Sequence, residues 1–251
     1  MRVFLASRNA KKLEEMRRIL TQQLADVEVL GLDDVPAYDE PVEDQPTFAG
    51  NALLKARAGV AATGLPSVAD DSGLCVDALN GMPGVLSARW SGRPTSDRVS
   101  ADDRNNSLLL EQLEDVPDDR RGAHFTCAIA LCVPGRDEIV VEGRMDGHVI
   151  RETRGSGGFG YDVLFEADEF PGRTTAELDP ADKDSVSHRG RALREIAPKI
   201  VAALRPNPGS AAPGHASGRS STSRRPGVVM SRARLRAAGS RDRCPRRAGC
   251  G

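Results

Sequence analysis

The sequence has few cysteines, and none of them form a Cys-x-x-Cys pair. The five are Cys75, Cys127, Cys132, Cys244 and Cys250, an odd number that cannot all pair within one chain. This pattern argues against a disulfide framework and favours a reduced, cytoplasmic protein. We expect the first three thiols to act as small buried hydrophobic side chains.

Long apolar runs are also absent. No stretch approaches the roughly 20 apolar residues that span a bilayer, and the opening MRVFLASRNAKK turns polar after a few positions. We therefore expect neither a signal peptide nor a membrane anchor. With 251 residues, of which 39% are hydrophobic, the chain can form one large globular domain or two small ones.

The C-terminal segment contains no lysine and almost no acidic residues. Residues 206–251 hold ten arginines and one acid, Asp242, so this segment carries about +9 and residues 1–205 about −10. Its Gly, Ser, Pro and Ala content buries too little apolar surface to offset chain entropy, which predicts a disordered tail after a domain of residues 1–205. Such a tail can bind nucleic acid or another anionic surface, or be an inert extension, the interpretation we favour.

The most informative stretch is residues 68–92, VADDSGLCVDALNGMPGVLSARWSG. Two adjacent carboxylates, Asp70 and Asp71, follow a short apolar run and precede Ser72 and Gly73. This order predicts a strand that ends by presenting acids at a turn, where catalytic groups tend to lie. We interpret the stretch as an active-site segment that holds a divalent metal ion, because such ions prefer carboxylate oxygens.

A second candidate lies near the N-terminus. Residues 3–6 predict a strand, and Leu13, Met16 and Ile19 recur at helical spacing after it. The loop between them, SRNAKK at residues 7–12, places hydroxyl, amide and ammonium groups at a helix N-terminus, where the helix dipole favours anions. The loop can cradle a polyphosphate, or it can be a simple helix cap followed by solvated lysines.

The remaining pattern predicts alternating helices and strands. An acid-rich loop containing Glu43 precedes a predicted helix. The predicted strands are residues 27–32, 67–69, 123–133 and 138–150, and the predicted helices are residues 48–63 and 96–116, with an amphipathic helix toward the end of residues 176–204. We assign residues 96–116 a structural role.

A glycine-rich run, GSGGFGYD at residues 155–162, offers a further site. It is not a Rossmann fingerprint, because strand-like residues 163–165 follow it instead of a helix. A flexible loop could bring Phe159 over a nucleobase and Asp162 to its edge, since an aromatic face stacks on any base. The alternative is a buried aromatic ring beside a glycine turn.

A basic cluster marks the beginning of the last predicted helix. Lys183, His188 and Arg189 occur there close together. A lone histidine is more often structural than catalytic, so His188 gains weight only from its basic neighbours.

Together these segments resemble the dITP/XTP pyrophosphatase family, the inosine triphosphatases, which hydrolyse non-standard purine nucleoside triphosphates to the monophosphate and pyrophosphate. The matching stretches occur in the family's order: SRNAKK at 7–12, TFAGNALLKA at 47–56, ADDSGLCVDALNGMPGVLSARWSG at 69–92, GGFGYD at 157–162 and SHRGRAL at 187–193. The Maf-like nucleotide pyrophosphatases are a rival with a similar fold. They tend to have proline and arginines where Asn9 and Lys12 stand here.

The resemblance implies an α/β fold with a long mixed central β-sheet, flanking helices and two lobes around an active-site cleft. It also implies a homodimer that uses Mg²⁺ and needs neither membrane nor nucleic acid. Asp71 would be the general base and a metal ligand, with Glu43 as the second ligand. The implied substrate-binding residues are Ser7, Arg8, Asn9, Ala10, Lys11, Lys12, Lys55, Ser72, Phe159, Gly160, Tyr161, Asp162, Lys183, His188 and Arg189.

The implied chemistry is attack of a metal-activated water on the α-phosphorus, with Asp71 accepting the proton and pyrophosphate leaving. The base preference would come from Arg189. Because arginine only donates hydrogen bonds, it can satisfy the 6-oxo group of hypoxanthine or xanthine but not the 6-amino donor of adenine.

Overall fold

A six-stranded mixed sheet forms the centre of the protein. The structure is a computed structural model that describes residues 1–7, 9–23, 27–92 and 99–205. The strand order is β2-β1-β3-β4-β5-β6. The strands are β1 (Arg2–Leu5), β2 (Glu28–Leu30), β3 (Ser67–Val76), β4 (Gly122–Cys132), β5 (Ile139–Val149) and β6 (Phe165–Ala167). Strand β1 pairs in parallel with β2 and β3, whereas β3 to β6 pair antiparallel, which confirms the predicted mixed α/β fold.

Helices cover both faces of this sheet. They are α1 (Ala10–Gln23), α2 (Phe48–Thr63), α3 (Ala101–Gln112), α4 (Pro180–Val186) and α5 (His188–Leu204). On one face α1 and α5 pack through residues such as Met16 and Ile196 against Val68 of the sheet. On the other face Ala52 and Ala56 of α2 pack against a different set of strand side chains. None of the described helices is both long and apolar enough to cross a membrane.

The ends of α2 explain why its predicted bounds match the structure. The Thr47 side chain accepts a hydrogen bond from the Gly50 N–H at 3.0 Å and caps the first turn. Gly64 ends the helix with a φ of +68°, a left-handed conformation that glycine adopts without the steric cost of a Cβ. The local sequence therefore determines both ends.

A third cluster of buried side chains lies toward the other end of the sheet. Leu74 of β3, Phe125 of β4 and Phe165 of β6 pack there with Leu109 of α3 and with Tyr161. The rings of Phe125 and Phe165 meet edge to face with centroids 4.8 Å apart. This cluster anchors α3 and the segment after the glycine-rich run.

The predicted turn at the paired acids is wrong. Strand β3 continues to Val76, and Asp70 and Asp71 pair with Ile129 and Ala128 of β4 in mid-strand. Strand β1 pairs with β3 only at Ser67 and Val68, so beyond that point β1 no longer covers this edge of β3. Successive strand residues point to opposite faces. Asp70 therefore lies on the α1 and α5 face, and Asp71 lies on the α2 face.

Other differences are smaller. The helix predicted over 96–116 is α3 (Ala101–Gln112), with residues 93–98 outside the described part. The segment 176–204 forms two helices, α4 and α5, separated by Ser187, whose side chain caps α5 by accepting from the Gly190 N–H at 2.9 Å. The predicted tail of residues 206–251 and the candidate Arg8 also lie outside the described residues.

Candidate active site

Asp70 is a buried carboxylate held between two cations. Its exposed fraction is 1%, and its Oδ2 lies 3.2 Å from Arg189 Nε and 3.5 Å from Lys12 Nζ. Burial alone would raise the pKa of Asp70, but the charges of Lys12, Arg189 and Lys55 hold it well below its usual value. Asp70 is therefore ionised and orients two basic side chains.

Asp71 has a different environment. Its Oδ2 accepts a hydrogen bond from Asn51 Nδ2 at 2.9 Å, and its Oδ1 lies 3.9 Å from Lys55 Nζ. Burial raises the pKa of Asp71 above that of an ordinary aspartate, although Lys55 and Asn51 act in the opposite direction. A partly desolvated carboxyl with a raised pKa has the properties of a general base.

Lys55 lies between the two carboxylates that sequence analysis assigned to a metal. Its Nζ is 2.5 Å from Glu43 Oε1 and 3.9 Å from Asp71 Oδ1. Burial disfavours the ammonium, but Asp70, Glu43 and Asp71 together raise the pKa of Lys55. Arg89 anchors the Glu43 backbone, donating to its carbonyl at 2.9 Å. Two convergent carboxylates that already neutralise a cation form a donor set suited to a hard divalent ion.

A cleft with about 670 Å³ of empty space, partly open to solvent, lies on the α1 and α5 side of β3. Many predicted substrate residues line it: Asn9, Lys12, Ser72, Phe159, Gly160, Tyr161, Asp162, Lys183, His188 and Arg189. Seven further residues complete the wall: Glu15, Gly73, Ser87, Ala88, Asp102, Asn105 and Phe125. Of these, Gly73, Ser87 and Ala88 belong to the predicted active-site segment of residues 68–92. The structure therefore brings Asn9 and Lys12 of the loop at residues 7–12 to one cavity with β3 and the glycine-rich run.

Other candidates lie outside this lining. Ser7 is buried at the end of β1, and Ala10 and Lys11 face neighbouring surface depressions. Lys55 and Glu43 lie with Asp71 on the α2 face. Asn9 caps α1, since its side chain accepts from the Lys12 N–H at 3.1 Å. The simple cap interpretation of this loop is thus part of the structure, and the same asparagine also faces the cleft.

Phe159 has a partly exposed ring among cations. Lys183 Nζ lies 5.4 Å, Arg189 Cζ 5.6 Å and Lys11 Nζ 6.0 Å from the ring centroid. Lys11 also donates to the Gly158 carbonyl at 3.1 Å, which joins α1 to the glycine-rich run. Because the ring borders the cleft instead of being buried, it can stack on a flat ligand.

Asp162 closes the glycine-rich run on itself. Its Oδ2 accepts from the Phe159 N–H at 2.8 Å and from Lys183 Nζ at 2.5 Å, and its Oδ1 accepts from Thr175 Oγ1 at 2.8 Å. Three donors on one carboxylate fix the backbone before and after Phe159. Asp162 therefore shapes the loop as well as lining the cleft.

Arg189 is buried at the first turn of α5, with 2% of its surface exposed. It donates from Nη1 to Glu15 Oε2 at 2.5 Å, from Nη2 to Ser72 Oγ at 2.8 Å and from Nε to Asp70. Sequence analysis missed Glu15. The available signal was its position on the buried stripe of α1, directly before Met16, where a solvated acid is not expected.

His188 is also buried, and its ring stacks on Phe125 with centroids 4.8 Å apart and planes 11° apart. Burial and then the neighbouring cations Arg189 and Lys183 lower the pKa of His188 well below its usual value, so the ring is neutral. Within the described part of the chain, its Nδ1 has no hydrogen-bond partner. The ring thus forms a flat, uncharged wall of the cleft.

Asn51 is the other functional candidate that sequence analysis left unassigned. It is fully buried on α2, where it donates to Asp71 and accepts from the Gln45 N–H at 3.0 Å. A polar side chain directly before the buried Ala52 was the only sequence signal for it. Among the described residues, no group of three His, Cys, Asp or Glu side chains is arranged to hold a metal ion.

These features define a class of protein: a mixed α/β protein whose cleft combines basic side chains, a stacking ring and buried carboxylates, as expected for binding an anionic ligand with an aromatic part. The comparison with known proteins makes the assignment specific. The chain belongs to the Ham1 family, whose model matches residues 3–199.

Relatives of known name agree with this assignment. A dITP/XTP pyrophosphatase of Nocardia farcinica is 60% identical over 202 residues, covering 80% of this chain and 95% of that protein. One of Frankia alni is 56% identical over 197 residues, covering 78% and 96%. The solved nucleoside-triphosphatase / dITP/XTP pyrophosphatase of Mycobacterium abscessus is 54% identical with a TM-score of 0.63, covering 79% of this chain and 100% of that one. The Ham1 protein of Staphylococcus aureus is 32% identical with a TM-score of 0.69, covering 80% and 99%.

Proposed function

We propose that this protein hydrolyses the non-standard purine nucleoside triphosphates dITP, ITP and XTP to the monophosphate and pyrophosphate, and so removes them from the nucleotide pool. The observation that carries the proposal is the cleft that brings Phe159 together with basic side chains next to Ser72 of β3. Asp71, whose pKa burial raises, directly precedes Ser72 on that strand. The 60% identity to a dITP/XTP pyrophosphatase supports the choice of substrate class.

The triphosphate would bind at the N-terminus of α1. Lys11 and Lys12 lie in its first turn, and the helix dipole adds positive potential at this end. Lys12 is only 17% exposed and is oriented by Asp70, so its ammonium group is already in position before the ligand binds. Lys183 supplies a further cation on the opposite wall, next to Phe159.

Mg²⁺ is the proposed cofactor, and Asp71 and Glu43 would hold it. The position of the Lys55 ammonium between these carboxylates supports their fit to a cation. When bound, such an ion polarises phosphoryl oxygens and lowers the pKa of a coordinated water. Asp71 would accept the proton of the attacking water, and Asn51 would hold the carboxylate in place. Attack at the α-phosphorus breaks its bond to the bridging oxygen, so pyrophosphate leaves.

Selection of the base would depend on Arg189. Three of its N–H groups point to Asp70, Glu15 and Ser72, and a guanidinium has five, so two remain to donate. A 6-oxo group can accept such a bond, whereas the 6-amino group of adenine cannot. Sites built around a required hydrogen bond reject the mismatched analogue by roughly 10⁴–10⁵.

Assembly, location and domain limits are part of the same proposal. We place the catalytic domain in residues 1–205, where the family match also lies, and treat residues 206–251 as an appended basic tail. A cytoplasmic homodimer is the form that the family resemblance implies. Activity on nucleotides needs neither nucleic acid nor membrane.

The test is a substrate panel of ITP, dITP, XTP, GTP, ATP and dTTP with Mg²⁺, in which released pyrophosphate and orthophosphate are measured separately. We expect pyrophosphate from the first three at much higher kcat/KM than from ATP. Orthophosphate as the first product would overturn attack at the α-phosphorus. A preference for dTTP would instead support a base selectivity like that of the rival Maf-like enzymes.

A further inference from the structure

Two side chains of α3 hold both peptide groups of Gly160. Asp102 Oδ2 accepts from the Gly160 N–H at 2.8 Å, and Asn106 Nδ2 donates to the Gly160 carbonyl at 3.0 Å. The two residues are four apart and therefore share one face of the helix. Gly160 has a φ of +63°, and a Cβ there would meet nothing within 4 Å. Because no neighbouring atoms pack against Gly160 on that side, its backbone is held in place by the hydrogen bonds from α3.

Gly160 directly follows Phe159, the ring that borders the cleft. The run before it contains Gly157 and Gly158, and glycine-rich backbone has more conformational freedom than any other. Asp162 fixes the N–H of Phe159 from within the loop. The α3 pair supplies the restraint from outside the loop, and the two together determine where the ring stands.

The same helix also holds the opposite wall of the cleft. Asn105 Nδ2 donates to the Ser87 carbonyl at 3.2 Å, and Asn105 Oδ1 accepts from the Ser91 N–H at 2.8 Å. Tyr161, next to Gly160, donates from its hydroxyl to the same Ser87 carbonyl at 2.9 Å. One turn of α3 thereby sets the distance between the glycine-rich run and the wall at residues 84–91.

We propose that Asp102 and Asn106 are positioning residues for the nucleobase: by holding the Gly160 peptide they orient Phe159 for stacking, while the phosphate-binding groups do not depend on them. This inference rests on the proposed function, in which Phe159 stacks on the base. It assigns a role in base recognition to α3, which the sequence pattern marked only as structural. Lys12 is independent of this pair because it lies on α1 and is oriented by Asp70 of β3. Lys11 and Lys183 contact the glycine-rich run at Gly158 and Asp162, not at the Gly160 peptide that the pair holds.

The experiment compares Asp102→Ala and Asn106→Ala with Asp103→Ala as the matched control. Asp103 is an exposed acid in the same first turn of α3, so its removal has the same effect on the helix dipole. Each variant is assayed with the nucleotide that the wild type hydrolyses best. Tripolyphosphate, which has no base, serves as a competitive inhibitor, and thermal unfolding checks the fold.

We expect KM for the nucleotide to rise roughly tenfold in both variants, the size of one lost hydrogen bond to a charged or buried group, with the tripolyphosphate inhibition constant unchanged. Asp102→Asn, which keeps an acceptor oxygen for the Gly160 N–H, should recover most of the loss. If Asp102→Ala does not fold, Asn106→Ala still tests the proposal, because it removes the other hydrogen bond to Gly160.

Three results would overturn the proposal: a KM no higher than that of Asp103→Ala, a parallel weakening of tripolyphosphate, or a fall in kcat alone. Each would make α3 a structural element only. Failure of the wild type on ITP is a separate outcome, because it would refute the proposed substrate class while the same variants still report on base positioning with another nucleotide.

Discussion

Replacing Arg189 with alanine should destabilise the fold much more than removing an exposed arginine from the same helix. The guanidinium is 2% exposed and bonds to Asp70 and Glu15, which are themselves 1% and 7% exposed. The substitution leaves two buried carboxylates without Arg189. Asp70 still has Lys12 at 3.5 Å, whereas Glu15 loses the only partner described for its carboxylate. Breaking a buried ion pair from one side typically costs about 3–5 kcal/mol.

The assay is urea unfolding with Arg191→Ala as the control. Arg191 lies two residues further along α5, is 37% exposed at its side chain and pairs with Glu169 on the surface. Such surface pairs contribute about 0–1 kcal/mol. We therefore expect a difference of at least about 2 kcal/mol between the two variants, which for a domain of this size also separates their Tm values by roughly 4–8 °C.

The stability lost in Arg189→Ala should also depend on pH in a definite direction. In the wild type the pKa of Asp70 lies below its usual value, so the pair contributes stability above the ordinary carboxyl range and loses it as pH falls through the lowered pKa. In Arg189→Ala the pKa of Asp70 should be higher than in the wild type, because Arg189 no longer lowers it while Lys12 and Lys55 still do. The stability deficit should therefore be full near neutral pH and shrink as the pH falls through the pKa of the variant. Equal stability of the two variants at pH 7, or a deficit that grows at low pH, would refute the reasoning.

Three further predictions follow from the site. Asp71→Asn should lower kcat by about 10²–10⁴ without loss of stability, whereas Asp70→Asn should lower both kcat and stability. Identical unfolding curves for the two variants would contradict these different roles. Lys55→Met should move the acidic limb of the kcat/KM profile to higher pH, because the Lys55 charge lowers the pKa of Asp71; an unmoved limb would remove Asp71 from the base role. Gly143→Ala should lower stability by about 1–3 kcal/mol, since a Cβ there would overlap the His188 carbonyl oxygen and push α5 from β5; an unchanged Tm would show that α5 adjusts freely.

Much of the fold could be predicted from local pattern. The α2 helix has a side-chain cap at Thr47 and a left-handed glycine at its end, so its bounds follow from sequence. The bounds of the antiparallel strands β4 and β5 differ from the predicted runs by one residue at each end. The reason is that β4 is largely apolar and that charged or polar residues alternate with other residues along most of β5. The family resemblance was confirmed, and it came from motif order.

The course of β3 could not be predicted locally. Asp, Ser and Gly are depleted in strands, so the pattern ended the strand at Ala69. In the structure β4 pairs with β3 along its whole length and overrides this preference. Gly73 is required there because a Cβ would overlap the Gly84 carbonyl oxygen and Ser87 Oγ, a contact that only tertiary structure reveals.

The same limit applies to the partners in the candidate site. Glu15 and Arg189 are 174 positions apart in sequence, and Asp102 and Gly160 are 58 apart. No periodicity within one element connects such pairs. The roles of the individual site residues stay predictions, which the variants above can test.

The position of the two acids on β3 also affects how the enzyme should lose activity. Asp70 and Asp71 belong to a ladder with β4, which continues into β5, at the centre of the sheet. Strands of this kind exchange their amide protons only when the whole domain unfolds. A carboxylate on a surface loop can be displaced by local fraying, whereas Asp71 keeps its position as long as the ladder between β3 and β4 is intact. The Asp71 carboxylate should therefore stay in place in denaturant until the domain unfolds, whereas the glycine-rich run that carries Phe159 can lose its conformation at a lower denaturant concentration.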